Sequence, residues 1–84
     1  MPKTHQLKTL EWSFDAIMSG TKRFEIRNND REFQVGDFLH LRRFHDSEFG
    51  DAYYTGEETY VRILYLTSFE QKSGFVVLGI SDPI

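Results

Sequence analysis

The chain has 84 residues, a formal net charge of −3, 15% aromatic residues and no cysteine. A chain of this length buries only about 60–65% of its unfolded surface, so it forms one small core and a single domain over residues 1–84. The acidic balance excludes a protein that coats nucleic acid non-specifically. Missing thiols exclude a disulfide framework, and no apolar run long enough for secretion or membrane insertion appears, so a cytoplasmic protein with no membrane contact is expected. The charge is unevenly spread: residues 1–45 carry net +2 and residues 46–84 carry net −5.

In chain order, His5–Lys8 predicts a short edge strand. Leu10, Phe14, Ile17 and Met18 then form one apolar stripe, predicting a helix near residues 10–19 with Gly20 as its C′ residue. Its N-cap is Thr9, or else Ser13 with Trp12 and Ile17 as a hydrophobic staple. After Gly20 the period changes to two: Phe24 and Ile26 form an apolar strand face opposite Arg23, Glu25 and Arg27. Asn28–Asp30 is a turn, and Val35-Gly36-Asp37 is a second, leading into the strand FLHLRRF. His45–Glu58 is polar, acidic and glycine-punctuated, a long loop with a short hairpin near Asp51. TYVRILYLTSF and GFVVLGI read as two further strands around a turn at Glu70–Gly74. One helix among about five short strands gives an α+β class, and a small, partly closed barrel is the simplest way to remove sheet edges at this size.

Several residues have both a structural and a chemical reading. Arg23, Glu25 and Arg27 form either a self-compensating ladder on a solvated strand face or a site whose guanidinium forks address phosphate or carboxylate. Lys22 complements the C-terminal end of the helix dipole, and Asp30 with Arg31 closes a turn as a local ion pair. His5, His40 and His45 lack metal-ligand spacing, so no metal or other cofactor is expected. No serine has nucleophile-elbow glycines and no phosphate-cradling loop is present, which disfavours serine hydrolases and P-loop enzymes. Tyr53 and Tyr54 are the better candidates for stacking on bases, because Tyr60 and Tyr65 alternate with core positions on a strand.

The segments HQLKT, SGTKRFEIRNNDREFQVGDFLHL and GFVVLGI together resemble a group of short bacterial and phage proteins of unknown function in the ASCH branch of the PUA-like superfamily. The ordered motifs are Gly20-x-Lys22, Glu25-x-Arg27, Asn29-Asp30-Arg31 and Val35-Gly36-Asp37. The resemblance implies a PUA/ASCH-like β-pseudobarrel with one helix packed across it, and a polar cleft that binds RNA or a nucleotide. It carries the binding role to His5, Lys8, Lys22, Glu25, Arg27, Asn29, Asp30 and Arg31. Some ASCH enzymes hydrolyse the amide of acetylated cytidine with a Lys and a Thr in this segment and a Glu from a later strand. Lys22 and Arg27 match their lysine and arginine, whereas Glu25 stands at the threonine position. Lys22 and Glu25 are then the catalytic pair, with Glu57, Glu58 and Glu70 as candidates for a second carboxylate. A protein partner on the acidic segment Asp46–Glu58 is the third expectation.

Overall fold

The computed structural model describes residues 1–84 as β1 (Thr4–Leu10), α1 (Glu11–Met18), β2 (Phe24–Asn28), β3 (Phe38–His45), β4 (Tyr53–Thr67) and β5 (Phe75–Ile80). One mixed sheet has the order β1-β3-β4-β5-β2, with β1 parallel to β3 and every other neighbouring pair antiparallel. The long strand β4 joins two halves, pairing with β3 through Tyr53–Arg62 and with β5 through Ile63–Thr67. Alternate residues of β1, β3, β4 and β5 bury Leu7, Leu39, Leu41, Val61, Ile63, Val76, Leu78 and Ile80. Phe14 and Ile17 of α1 and Phe33 complete this core from one side.

The α+β class holds, but the sheet is not closed into a barrel. β1 and β2 are its two edges, and their facing groups are joined by side chains instead of a backbone ladder. Arg27 Nη2 donates to the Lys8 carbonyl at 3.1 Å, and Arg31 Nη1 donates to the Gln6 carbonyl at 2.7 Å. These even-numbered carbonyls point away from β3, since a strand in a ladder directs alternate residues' polar groups to opposite sides. Guanidinium groups thus satisfy an edge that would otherwise invite another strand.

Gly20 ends α1 as expected. With φ +82° it lets the Gly20 N–H reach the Ile17 carbonyl and the Thr21 N–H reach the Ala16 carbonyl, a Schellman closure. The start of α1 differs from both predicted caps. Leu10 occupies the N-cap position and no side chain caps it, because Thr9 is buried on β1 and Ser13 is turned into the interior. Two strands are also longer than expected. β1 runs from Thr4, and β4 begins at Tyr53, absorbing the second half of the predicted loop and leaving residues 46–52 between β3 and β4. Cross-strand aromatic pairs hold that extension: Phe44 with Tyr54 at 5.0 Å, and His45 with Tyr53 at 4.9 Å.

Asp37 ties the chain start to the turn before β3. Its Oδ1 accepts the Lys3 N–H at 3.0 Å, while Oδ2 lies 2.8 Å from His5 Nε2 and accepts the Gln34 N–H at 3.1 Å. Burial pushes the Asp37 carboxyl up, but the His5 ring and the two backbone donors outweigh it and hold the group below the usual carboxylate range. A carboxylate lowered on folding stabilises the native state above its unfolded value near pH 4, and loses that contribution as pH falls through the folded value. Asp37→Asn is therefore expected to lower stability by about 2–3 kcal/mol at pH 7. Its stability should also fall less steeply than wild type as the pH drops below about 4, as read by urea denaturation at a series of acidic pH values.

Candidate functional site

The sheet's incomplete closure leaves a cleft of about 330 Å³ between the β1 edge, α1 and β2, lined by Lys8, Thr9, Leu10, Trp12, Ser13, Lys22, Phe24, Glu25, Ile26 and Arg27. Its floor depends on the orientation of β2. The apolar members of that strand, Phe24 and Ile26, are 43% and 51% exposed, whereas Glu25 between them is 3% exposed. The alternation predicted from sequence is present, but the charged face is the inner one. Of the proposed Arg23–Glu25–Arg27 ladder the Glu25–Arg27 pair forms, at 3.1 Å, whereas Arg23 turns outward to Asp82 at 2.6 Å.

Burying an isolated carboxylate costs several kcal/mol, so its partners determine whether the arrangement holds. Glu25 Oε2 accepts from Arg27 Nε at 3.1 Å, and Oε1 accepts from the Ser13 hydroxyl at 3.3 Å with Lys22 Nζ 3.6 Å away. Lys22 Nζ in turn donates to Ser13 Oγ. The Schellman turn explains how Lys22 gets there: the chain reverses at Gly20, and the Lys22 N–H bonds back to the Ala16 carbonyl. The ammonium group thus lies over the helix that it follows, 5.1 Å from the Trp12 ring centre and 5.3 Å from that of Phe24. Both are cation–π distances. Instead of complementing the helix dipole, Lys22 caps a buried acid and presents its charge between two aromatic rims.

Helix α1 is held in position by ion pairs on its other flank. Arg43 forks onto Asp15 with contacts of 2.9 and 3.1 Å and reaches Glu11 at 2.9 Å, while His45 Nδ1 lies 2.6 Å from the same Glu11. The Arg43 hydrogen bond is the main reason that the Asp15 carboxyl lies below its ordinary range. This clamp ties α1, which carries Trp12 and Ser13, to β3 beside β1.

Of the residues singled out from sequence, Lys8, Lys22, Glu25 and Arg27 share this cleft. Arg27, Asp30 and Arg31 line a neighbouring hollow of about 160 Å³ with Leu7, Asn28 and Phe33. Asp30 and Arg31 do form a loose local pair at 3.9 Å. Asn29 Oδ1 accepts the Phe33 N–H at 3.1 Å, a turn-closing role. His5 lies apart, bonded to Asp37 and edge-on to Phe33 at 4.8 Å. Sequence reasoning assigned Trp12, Ser13 and Thr9 to capping and missed their place in the cleft. The usable signal was a serine and a tryptophan on a helix whose core stripe is already filled by Phe14 and Ile17.

No helix is long and apolar enough to cross a membrane. A family model described as a domain of unknown function, DUF3850, matches residues 4–80. The chain is also 34% identical over 67 residues to an uncharacterized 12.9 kDa protein in the GpA 3′ region of Escherichia phage P2. The alignment covers 80% of this chain and 57% of the phage protein, so the chain spans little more than half of that relative. Since the family match runs from the first residue of β1 to the last of β5, the chain belongs to the DUF3850 family.

Proposed function

We propose that this protein is a small ASCH/PUA-like domain that binds RNA or a nucleotide in the cleft between α1, β1 and β2. The observation that carries the reading is the buried Glu25, which holds Lys22 and Arg27 at the floor and wall of a cleft rimmed by exposed aromatic side chains. Two cations fixed by a sealed carboxylate, with Lys8 beside them, leave the cleft formally positive within an acidic chain. Its volume of about 330 Å³ falls at the small end of ligand pockets, the size of a nucleoside or nucleotide rather than a long polymer segment. Trp12, 69% exposed, offers a face for a base, and Arg27 and Lys8 offer donors for phosphate.

Trp12 is the single tryptophan, so its fluorescence reports directly on the cleft. Saturable quenching by nucleoside monophosphates or short RNA at low salt is expected, with Lys22→Met weakening it about tenfold or more while the fold persists by circular dichroism. Absence of quenching and of amide shifts at Lys8, Lys22 and Glu25–Arg27 in an NMR titration would overturn the reading.

A second reading, amide hydrolysis of an acetylated nucleoside, is favoured by the contact between Lys22 Nζ and Ser13 Oγ beside Glu25. In it Ser13 Oγ attacks the acetyl carbonyl as Glu25, to which its hydroxyl donates, takes its proton and passes it to the leaving amine; the Lys22 ammonium and Arg27 stabilise the oxyanion, and water then releases acetate. Chromatography of acetylated cytidine should then show cytidine and acetate, lost in Ser13→Ala, and no product from the wild type removes this reading.

A further inference from the structure

The outer face of β1, β3 and β4 carries an ordered array of basic side chains and aromatic rings that, Lys8 apart, the cleft does not use. Strand register places Gln6, His40 and Tyr60 in one row, and Lys8, Arg42 and Glu58 in the next. Each row continues from a cleft-edge cation, because Arg31 bonds the Gln6 carbonyl and Arg27 bonds the Lys8 carbonyl. His40 and Tyr60 lie stacked, 4.4 Å between centres and 7° between planes. The Arg42 guanidinium lies 3.9 Å over Tyr54, and Lys8 Nζ lies 4.6 Å over Phe44. Tyr60 and Tyr54 are 42% and 44% exposed, so their free faces look into solvent. Glu58 Oε1 approaches His40 Nε2 at 3.2 Å but out of line, leaving that buried nitrogen without a hydrogen bond. Within a chain of net charge −3, this edge and face gather Lys8, Arg27, Arg31 and Arg42 against Glu58, Asp30 and Arg27's partner Glu25.

We infer that a single-stranded nucleic acid runs out of the cleft and across this sheet face, so that the ligand is an oligonucleotide of about three to four residues rather than a free nucleotide. The inference rests on the nucleotide-binding reading of the cleft and names its ligand class. Rows on one face repeat every second residue, about 6.6 Å apart, close to the reach between successive nucleotides, and the aromatic rings stand one row apart from the cations. Rings stack on bases irrespective of sequence while the cations follow the backbone, the combination that single-strand binders use. Charge complementarity selects this occupant over a basic or neutral protein surface.

The test compares uridine monophosphate, an RNA hexamer and the matching DNA hexamer. Trp12 quenching reads the cleft, and fluorescence anisotropy of end-labelled hexamers reads the whole path. The hexamer is expected to bind at least about tenfold tighter than the monophosphate. Tyr60→Ala should weaken the hexamer about tenfold and leave the monophosphate unchanged, and Tyr60→Phe should restore it. Arg42→Gln should make the slope of log affinity against log salt shallower by about 0.7. Preference for the RNA or equal binding of both hexamers would each support a single-strand path and distinguish the source. If both substitutions leave hexamer affinity and salt slope unchanged while the monophosphate still binds, the sheet path is overturned and the cleft reading stands. Hexamer binding sensitive to Tyr60→Ala but not to Lys22→Met would keep the sheet path and remove the cleft. Binding of neither ligand would overturn both.

Discussion

The buried carboxylate of Glu25 is the interaction around which the rest of this small structure is arranged. At 3% exposure it cannot be left unpaired, and satisfying it draws in a residue from α1, one from the following turn and one from its own strand. Arg27, oriented by Glu25, reaches across to the Lys8 carbonyl and comes within 3.5 Å of the Thr9 hydroxyl. The same group that neutralises the acid therefore holds the two sheet edges together. A hydrophobic residue at position 25 would pack without that requirement, but it would leave Arg27 without a fixed direction and Lys22 without a reason to fold back over the helix.

The open sheet follows from this economy of bonding. A barrel closed by a β1–β2 ladder would satisfy both edges through main-chain hydrogen bonds and leave no gap between them. Guanidinium groups are longer than a ladder spacing, so closing the edges with Arg27 and Arg31 keeps the strands apart and the cleft open. The other buried acid, Asp37, has a different purpose. Its partners are His5 and the backbone of Lys3 and Gln34, all within the framework. One acid stabilises the join between the N-terminal strand and the turn before β3, and the other organises a surface that a ligand can reach.

β4 supplies the second constraint. Because it pairs with β3 through one half and β5 through the other, the two halves of the sheet share one continuous strand and turn relative to each other around its register shift between Ile63 and Tyr65. Gly79 permits this: a β-carbon there would sit 3.2 Å from Tyr65 Cβ, tighter than side chains normally tolerate. The turn of the sheet is what brings β2, last in spatial order, back toward β1, first in that order. Without it Arg27 of β2 and the aromatic face of β1, β3 and β4 would lie on separate parts of the molecule.

Local sequence was enough to determine a single core, the α+β class, the end of α1 at Gly20, the strands around Phe24–Asn28, Phe38–His45 and Phe75–Ile80, and the grouping of Lys22, Glu25 and Arg27. These depend on period, turn chemistry and nearest neighbours along the chain, which are written in consecutive residues. Which face of β2 points inward was decided only by tertiary structure. Period-2 alternation states that Phe24 and Ile26 oppose Glu25 and Arg27, but the pairing with β5, about fifty residues further on, sets the direction. The same holds for His5 with Asp37, 32 residues apart, and for Ser13 and Trp12, whose place in the cleft follows from the Arg43 clamp on α1. It holds too for the extension of β4 through Tyr53, which needs Phe44 and His45 opposite it. In each case the missing information was a contact between distant segments, and no pattern within either segment carries it.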